Sequence, residues 1–151
     1  MLAAIGAVHV LAAASAEAHI NDRAKTHLTG KSWGCFERIA AESKWLFFPR
    51  IVGCGTFEPG NEPYQGLARL FSRRNALVHY KPHREIWSEP GVPAFLEQLG
   101  LTITAAEDSL SAVRGAVSEL ARLLREERPL WLSQPSVGGF FEINFDHSYS
   151  K

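Results

Sequence analysis

A chain of 151 residues, 46% hydrophobic and 21% charged, has enough apolar material for one domain with a real core and too much for a disordered or collagen-like polymer. Sixteen Lys plus Arg balance sixteen Asp plus Glu, so any preference for nucleic acid, acidic substrates or anionic membranes must come from local clustering. Two cysteines, Cys35 and Cys54, are too few for a disulfide scaffold or, alone, for a zinc site, and a cytoplasmic address is the default.

Leu2 to Ala14 is apolar apart from His9, and Ala14-Ser15-Ala16 has the small residues of a cleavage site. No Lys or Arg precedes Arg23, so the positive region of a signal peptide is missing, and the run reads as too short to span a bilayer. An Ala-rich helix from Leu2 to Leu28, buried on most sides and ended by Thr29-Gly30, is the expectation, with no membrane partner. A second helix should start near Ser32, carry Trp33, Phe36, Ile39, Ala40, Ser43 and Phe47 on one face, and stop at Phe48-Pro49. Pro49 to Pro63, with Gly53-Cys54-Gly55 and Pro59-Gly60-Asn61, reads as a long loop.

The third helix should run from Pro63 to Tyr80, because Pro82 forces Lys81 out of the helical region. Pro82 to Pro93 predicts an irregular crossing, followed by a short helical piece, Ala94 to Leu99, closed by Gly100. Thr104-Ala105-Ala106-Glu107 reads as a capping box opening a fourth long helix, whose seam is Leu110, Val113, Val117, Leu120 and Leu124 and whose end is Pro129. The tail, 129–151, carries Trp131, Phe140, Phe141 and Phe145 around Gly138-Gly139, a density that predicts packing on the body or on a second subunit. Four long helices without a strand pattern predict an all-α, up-and-down four-helix bundle over 1–128, with the tail completing a single domain over 1–151.

Chemistry concentrates on the third helix. Leu67, Leu70, Phe71, Leu77 and Val78 define a buried stripe, and Arg74 projects into its middle. Such an arginine needs a buried ion pair or a function, and the candidate carboxylates are Glu17, Asp22 and Glu42. Asn75 and His79, four apart, share one flank of the same helix, His79 in its last turn. Arg69, Arg73, Arg74, Lys81 and Arg84, with no Asp or Glu from Gly66 through Arg84, make a local basic face suited to phosphate or RNA. Cations are also favoured at helix C-termini, which accounts for part of the cluster without a ligand.

Arg74-Asn75-Ala76-Leu77-Val78-His79 resembles the motif of the HEPN superfamily of helical-bundle proteins: an arginine, often a polar residue after it, then a histidine after four to six intervening residues. Arg73 also satisfies the spacing. The extended Arg-Asn-x-x-Val-His-Tyr-Lys-Pro form is similar to uncharacterised bacterial proteins of HEPN type, whose first helix carries a Glu and an Ile-Asn pair, matched here by Glu17 and Ile20-Asn21. The resemblance covers Ala12 to Pro82 and implies a dimeric HEPN-like bundle. In active members it implies a metal-independent endoribonuclease of toxin or defence type, some paired with a nucleotidyltransferase antitoxin. Arg74, Asn75 and His79 then become the catalytic candidates, with Arg69, Arg73, Lys81 and Arg84 on the RNA phosphates. A histidine can take the proton of a ribose 2′-OH and an arginine can stabilise the phosphorane charge. One histidine is half of an acid/base pair, and a homodimer supplies the other half. The alternative is a catalytically inactive dimeric interaction or scaffold module, in which Arg74 ties helices together through a carboxylate.

The remaining patterns are weaker. His79 and His83 are separated by Lys81-Pro82 and do not share a helical face, His9, His19 and His27 are too spread for a common site, and Cys54 has no adjacent base. Neither a metal nor a cofactor is expected.

Overall fold

In the computed structural model, which describes residues 1–79 and 99–133, the chain opens with α1 (Leu2–His27), whose 26 residues give a helix about 39 Å long. One stripe faces inward: Ile5, His9, Ala12, Ala16, Ile20 and Ala24 are buried at steps of three and four. Leu2, Val10 and Leu11 stay exposed, which corrects the expectation of burial on most sides. Alanine favours the helix without requiring neighbours on every face, and only one face has them. By length and composition α1 is long and apolar enough to cross a membrane, so the reading of the run as too short is also revised. Its inner stripe nonetheless packs on protein, and Ala16, within the stretch shaped like a cleavage site, is fully buried.

The expected second helix is two. α2 (Gly30–Glu37) and α3 (Ala41–Ile51) are separated by a turn at residues 38–40, where Ile39 donates its N–H to the Phe36 carbonyl and Ala40 takes an extended ψ. Neither Gly nor Pro marks this break. The turn resets the helical phase, so Lys44, Trp45 and Phe48 face the core while Phe47 is exposed. Pro49 does not end α3 but sits buried inside its last turns, two residues before Ile51. Past it, the glycine-rich stretch is a loop as expected, with Gly53 and Gly55 at positive φ and Phe57 buried edge-on against Trp45.

α4 (Tyr64–Val78) begins directly after Pro63, and α5 (Ile103–Leu124) follows the turn at Gly100, which has positive φ. The cap of α5 is Thr102, whose hydroxyl oxygen accepts from the Ala105 N–H at 3.1 Å, so the capping box at Thr104 is corrected by two residues. Arg125 in the left-handed region ends the helix before Pro129 is reached. Small residues dominate the buried side of α5: Ala105, Ser109, Ala112, Ala116 and Ala121 join Val113, Val117 and Leu120, whereas Leu110 is 50% exposed and drops out of the predicted seam. The small side chains let α4 come close. A Cβ on Gly66 would stand 2.8 Å from that of Ala112. A short α6 (Leu130–Ser133) lies against α5, where Arg114 donates to the Leu132 carbonyl at 3.1 Å. The tail thus starts on the body, while Phe140, Phe141 and Phe145 lie outside the described residues, as do residues 94–98 of the expected short helix.

Contacts give the directions. Lys25 sits over Trp33 while Ile39 shares a pocket wall with Ala13, so α2 returns along α1. Lys44 reaches Glu17 and Phe48 reaches His27, so α3 runs back with α1. α4 opposes α5, with Gly66 on Ala112 and Arg73 on Ala105, and α5 parallels α1, with His9 on Ser109 and Arg23 on Glu126. Among the described residues five helical segments alternate in direction, and the expected four-helix order is corrected: the turn at 38–40 folds the second helix back on itself, so α4 and α5 run opposite to the directions a four-helix up-and-down bundle would give them. The all-α class stands, and no strand occurs among the described residues.

Candidate functional site

The site candidates lie on the second half of α4, and their placement follows from where that helix leaves the core. Leu67, Leu70 and Phe71 are buried as the stripe predicted, but Leu77 is half-buried and Val78 is 52% exposed. Arg74 consequently lies at the edge of the packed zone and not at its centre. Half-buried, it donates from Nη1 to Asn75 Oδ1 at 2.9 Å, and among the described residues no carboxylate forms an ion pair with it. The expected helix-tying pair is therefore corrected, and each candidate partner is engaged elsewhere. Glu17 Oε1 accepts from Lys44 at 3.1 Å, Asp22 accepts from Arg23 at 2.7 Å, and Glu42 Oε1 accepts from the Tyr64 hydroxyl at 3.0 Å. The Arg23 hydrogen bond holds the Asp22 carboxyl below the usual carboxylate range.

Arg74 and Asn75 do face Glu17 and Glu42, across a pocket of about 400 Å³ walled also by Val10, Ala13, Ile39 and Phe71. Helices α1 and α4, the α2–α3 turn and the first turn of α3 together form it. His79 caps α4 with an exposed side chain, its backbone N–H bonded to the Asn75 carbonyl at 2.9 Å. The structure thus brings Arg74 and Asn75 into contact and sets His79 one turn along the same flank, just outside the pocket wall.

The basic face is partly neutralised from within. Arg69 is hydrogen-bonded to Glu62, which lowers the Glu62 carboxyl. Arg73 turns into the molecule, donating to the Ala105 carbonyl at 2.9 Å with Asp108 at 3.9 Å. Lys81 and Arg84 lie outside the described residues, as does His83. Of the five cations grouped by sequence, Arg74 is the one the described structure turns toward a cavity.

Several polar residues were missed by sequence reasoning. Lys44 is 1% exposed with its ammonium on Glu17, and the only sequence signal would have been its place between the apolar Ala41 and Trp45-Phe48 positions once the break at 38–40 is known. His9, set aside as too far from His19 and His27 for a common site, is fully buried, its Nε2–H donating to the Gly100 carbonyl at 2.7 Å and its Nδ1 paired with Ser109 Oγ at 2.8 Å. Of the resemblance residues on α1, Ile20 is fully buried, and Asn21 Oδ1 is buried with no hydrogen-bond partner among the described residues.

Tyr64 carries a pH consequence. Burial, and then the Glu42 carboxylate, push its hydroxyl up to about 12. A raised folded-state value means that the native state holds the proton longer than the unfolded chain, so this contribution is complete below about pH 10 and is lost as pH rises toward 12. Chemical denaturation between pH 9 and 12 should show stability falling by about 1 kcal/mol from this source, because solvent reaching the hydroxyl screens part of the shift. Tyr64→Phe should flatten that limb, and an unchanged alkaline slope in the variant would contradict the assignment.

Comparison with protein-family models, curated proteins and solved structures yields no match for this chain. Among the described residues no group of three His, Cys, Asp or Glu is placed to hold a metal, and both cysteines are free.

Proposed function

We propose that this chain is a HEPN-like helical protein acting as a metal-independent endoribonuclease, cytoplasmic and homodimeric, with Arg74, Asn75 and His79 as its working residues. One observation carries the reading: the Arg74 guanidinium is held by Asn75 at the wall of an open pocket, with an exposed His79 one turn away, and among the described residues it forms no ion pair of the kind a purely structural arginine needs. In this mechanism His79 removes the proton of a ribose 2′-OH, which attacks the adjacent phosphorus. Arg74 stabilises the charge on the phosphorane oxygens, and the 5′-oxygen leaves with a proton from the partner copy's histidine. The products are a 2′,3′-cyclic phosphate and a 5′-hydroxyl. Asn75 orients the guanidinium. A toxin or defence role beside a nucleotidyltransferase-type antitoxin belongs to the same reading.

The test is cleavage of single-stranded RNA by the purified protein in EDTA, with the termini identified. Arg74→Ala should reduce the rate by roughly 10²-fold or more while leaving the fold intact. Cleavage that needs added metal, or an Arg74→Ala variant as active as the parent, would remove the reading.

A second reading, an inactive interaction module, is favoured by a different observation. Gly6, Ala7, Val10, Leu11, Leu77 and Val78 line an almost wholly apolar groove of about 430 Å³ that runs up to the same end of α4. An exposed apolar surface of this kind suits a protein partner, a second copy included. Under that reading purified protein cleaves no RNA and His79→Ala is silent.

A further inference from the structure

The pocket beside Arg74 carries two carboxylates, Glu17 and Glu42, that the cleavage chemistry does not use. Acceptors come from one side: Glu17, whose Oε1 already takes the Lys44 ammonium, and Glu42 in the first turn of α3, whose Oε1 takes the Tyr64 hydroxyl. A carboxylate has about four lone-pair sites, so each contact leaves acceptor capacity for a ligand. Donors come from α4, where one of the five guanidinium N–H groups of Arg74 is used by Asn75. Charges in and behind the pocket balance, Glu17 and Glu42 against Lys44 and Arg74. The remaining wall is apolar, with Phe71 and Val10, and the volume of about 400 Å³ lies in the range of small-molecule sites. A neutral, flat ring with paired donors on one edge and acceptors on another suits such a cavity.

We propose that this pocket receives a guanine base, with the Glu42 carboxylate as the residue that selects it. Guanine is the nucleobase whose Watson–Crick edge presents two adjacent donors, N1–H and the N2 amino group, which a carboxylate accepts side by side. Its O6 and N7 are the acceptors that an arginine matches. Adenine and cytosine place a ring nitrogen lone pair beside a single amino group, and uracil flanks its one N–H with two carbonyls, so each sets lone pairs against the carboxylate oxygens. The inference rests on the RNA-cleaving reading for its biological setting, since it makes cleavage occur beside guanosine. Binding of the base itself can be measured independently.

Titration of the full-length protein with 5′-GMP, 5′-IMP, 5′-AMP, 5′-CMP and 5′-UMP holds the phosphate constant and varies the base. GMP should bind roughly tenfold to a hundredfold more tightly than the other four, IMP included, because inosine lacks the N2 donor. Glu42→Gln, with its helix content checked by circular dichroism, should remove that preference. Equal affinity for all five nucleotides, or binding of none, overturns the proposal. The GMP-to-IMP comparison in the parent protein decides the matter even where the variant fails to fold. Preference for GMP without cleavage of any RNA supports the base site and removes the nuclease, whereas cleavage at all four bases alike keeps the nuclease and removes the base site.

Discussion

Glu17→Ala is expected to destabilise the protein by about 3 kcal/mol. The reason lies in an asymmetry of burial. The Lys44 side chain is 2% exposed and its Nζ meets Glu17 Oε1 at 3.1 Å, while the Glu17 side chain is 40% exposed. Removing the carboxylate strands a buried ammonium, and an unpaired charge out of water costs several kcal/mol. Removing the lysine instead leaves a carboxylate that water can still reach. Lys44→Met, which keeps most of the side-chain volume, should therefore cost under about 1 kcal/mol or be neutral. Combining it with Glu17→Ala should recover most of the loss. Urea denaturation of the two single variants and the double variant measures the coupling directly. Equal losses in the two single variants would show that the burial asymmetry is not what governs this pair.

His79→Ala should abolish RNA cleavage, with a loss of roughly 10²- to 10⁴-fold, and leave the denaturation midpoint within about 0.5 kcal/mol of the parent. The second half of this expectation comes from the fold. His79 caps α4 through its backbone N–H, which any residue but proline supplies, and its ring is exposed. The first half comes from the proposed chemistry, in which the imidazole would move the proton of the attacking hydroxyl. Both halves are needed, since a variant that loses activity together with stability would say nothing about proton transfer. Measuring initial rates and the urea midpoint on the same preparations separates the two. A His79→Ala protein that cleaves normally would assign any nuclease activity to other residues.

The contrast between Arg74 and Lys44 shows what helical periodicity can and cannot see. Periodicity placed Arg74 in line with Leu67, Leu70 and Phe71, and those three are buried. It could not see that α4 leaves the core one turn later, because that depends on where α1 and α5 stand beside it and not on spacing within α4. The lysine that is truly buried went unnoticed for the complementary reason. Lys44 lies past the turn at 38–40, and carrying the phase of α2 through that turn aims the face at Ser43 and Phe47 when the core side is Lys44, Trp45 and Phe48. Arg69 and Arg73 show the same limit. A run of cations without acids from Gly66 onward says nothing of Glu62, which lies just before the Pro63 cap of α4, or of the Ala105 carbonyl on α5.

What the chain by itself determined is local. Alanine-rich and amphipathic segments specify helices, Pro63 starts α4, and glycines at 53, 55 and 100 supply turns at positive φ. The all-α class follows from these alone, as does the adjacency of Arg74, Asn75 and His79 on one helix. Tertiary structure decided the rest. An unsignalled turn after Glu37 reverses α3 and so sets the direction of every later helix, Gly66 and Ala112 admit the close approach of α4 to α5, and three segments far apart in sequence close a pocket around Arg74. The physical reason is one of range. Caps, prolines and periodicity act within a turn or two of helix, whereas the partner of a charge and the exposure of a side chain depend on surfaces that meet only once the helices have packed.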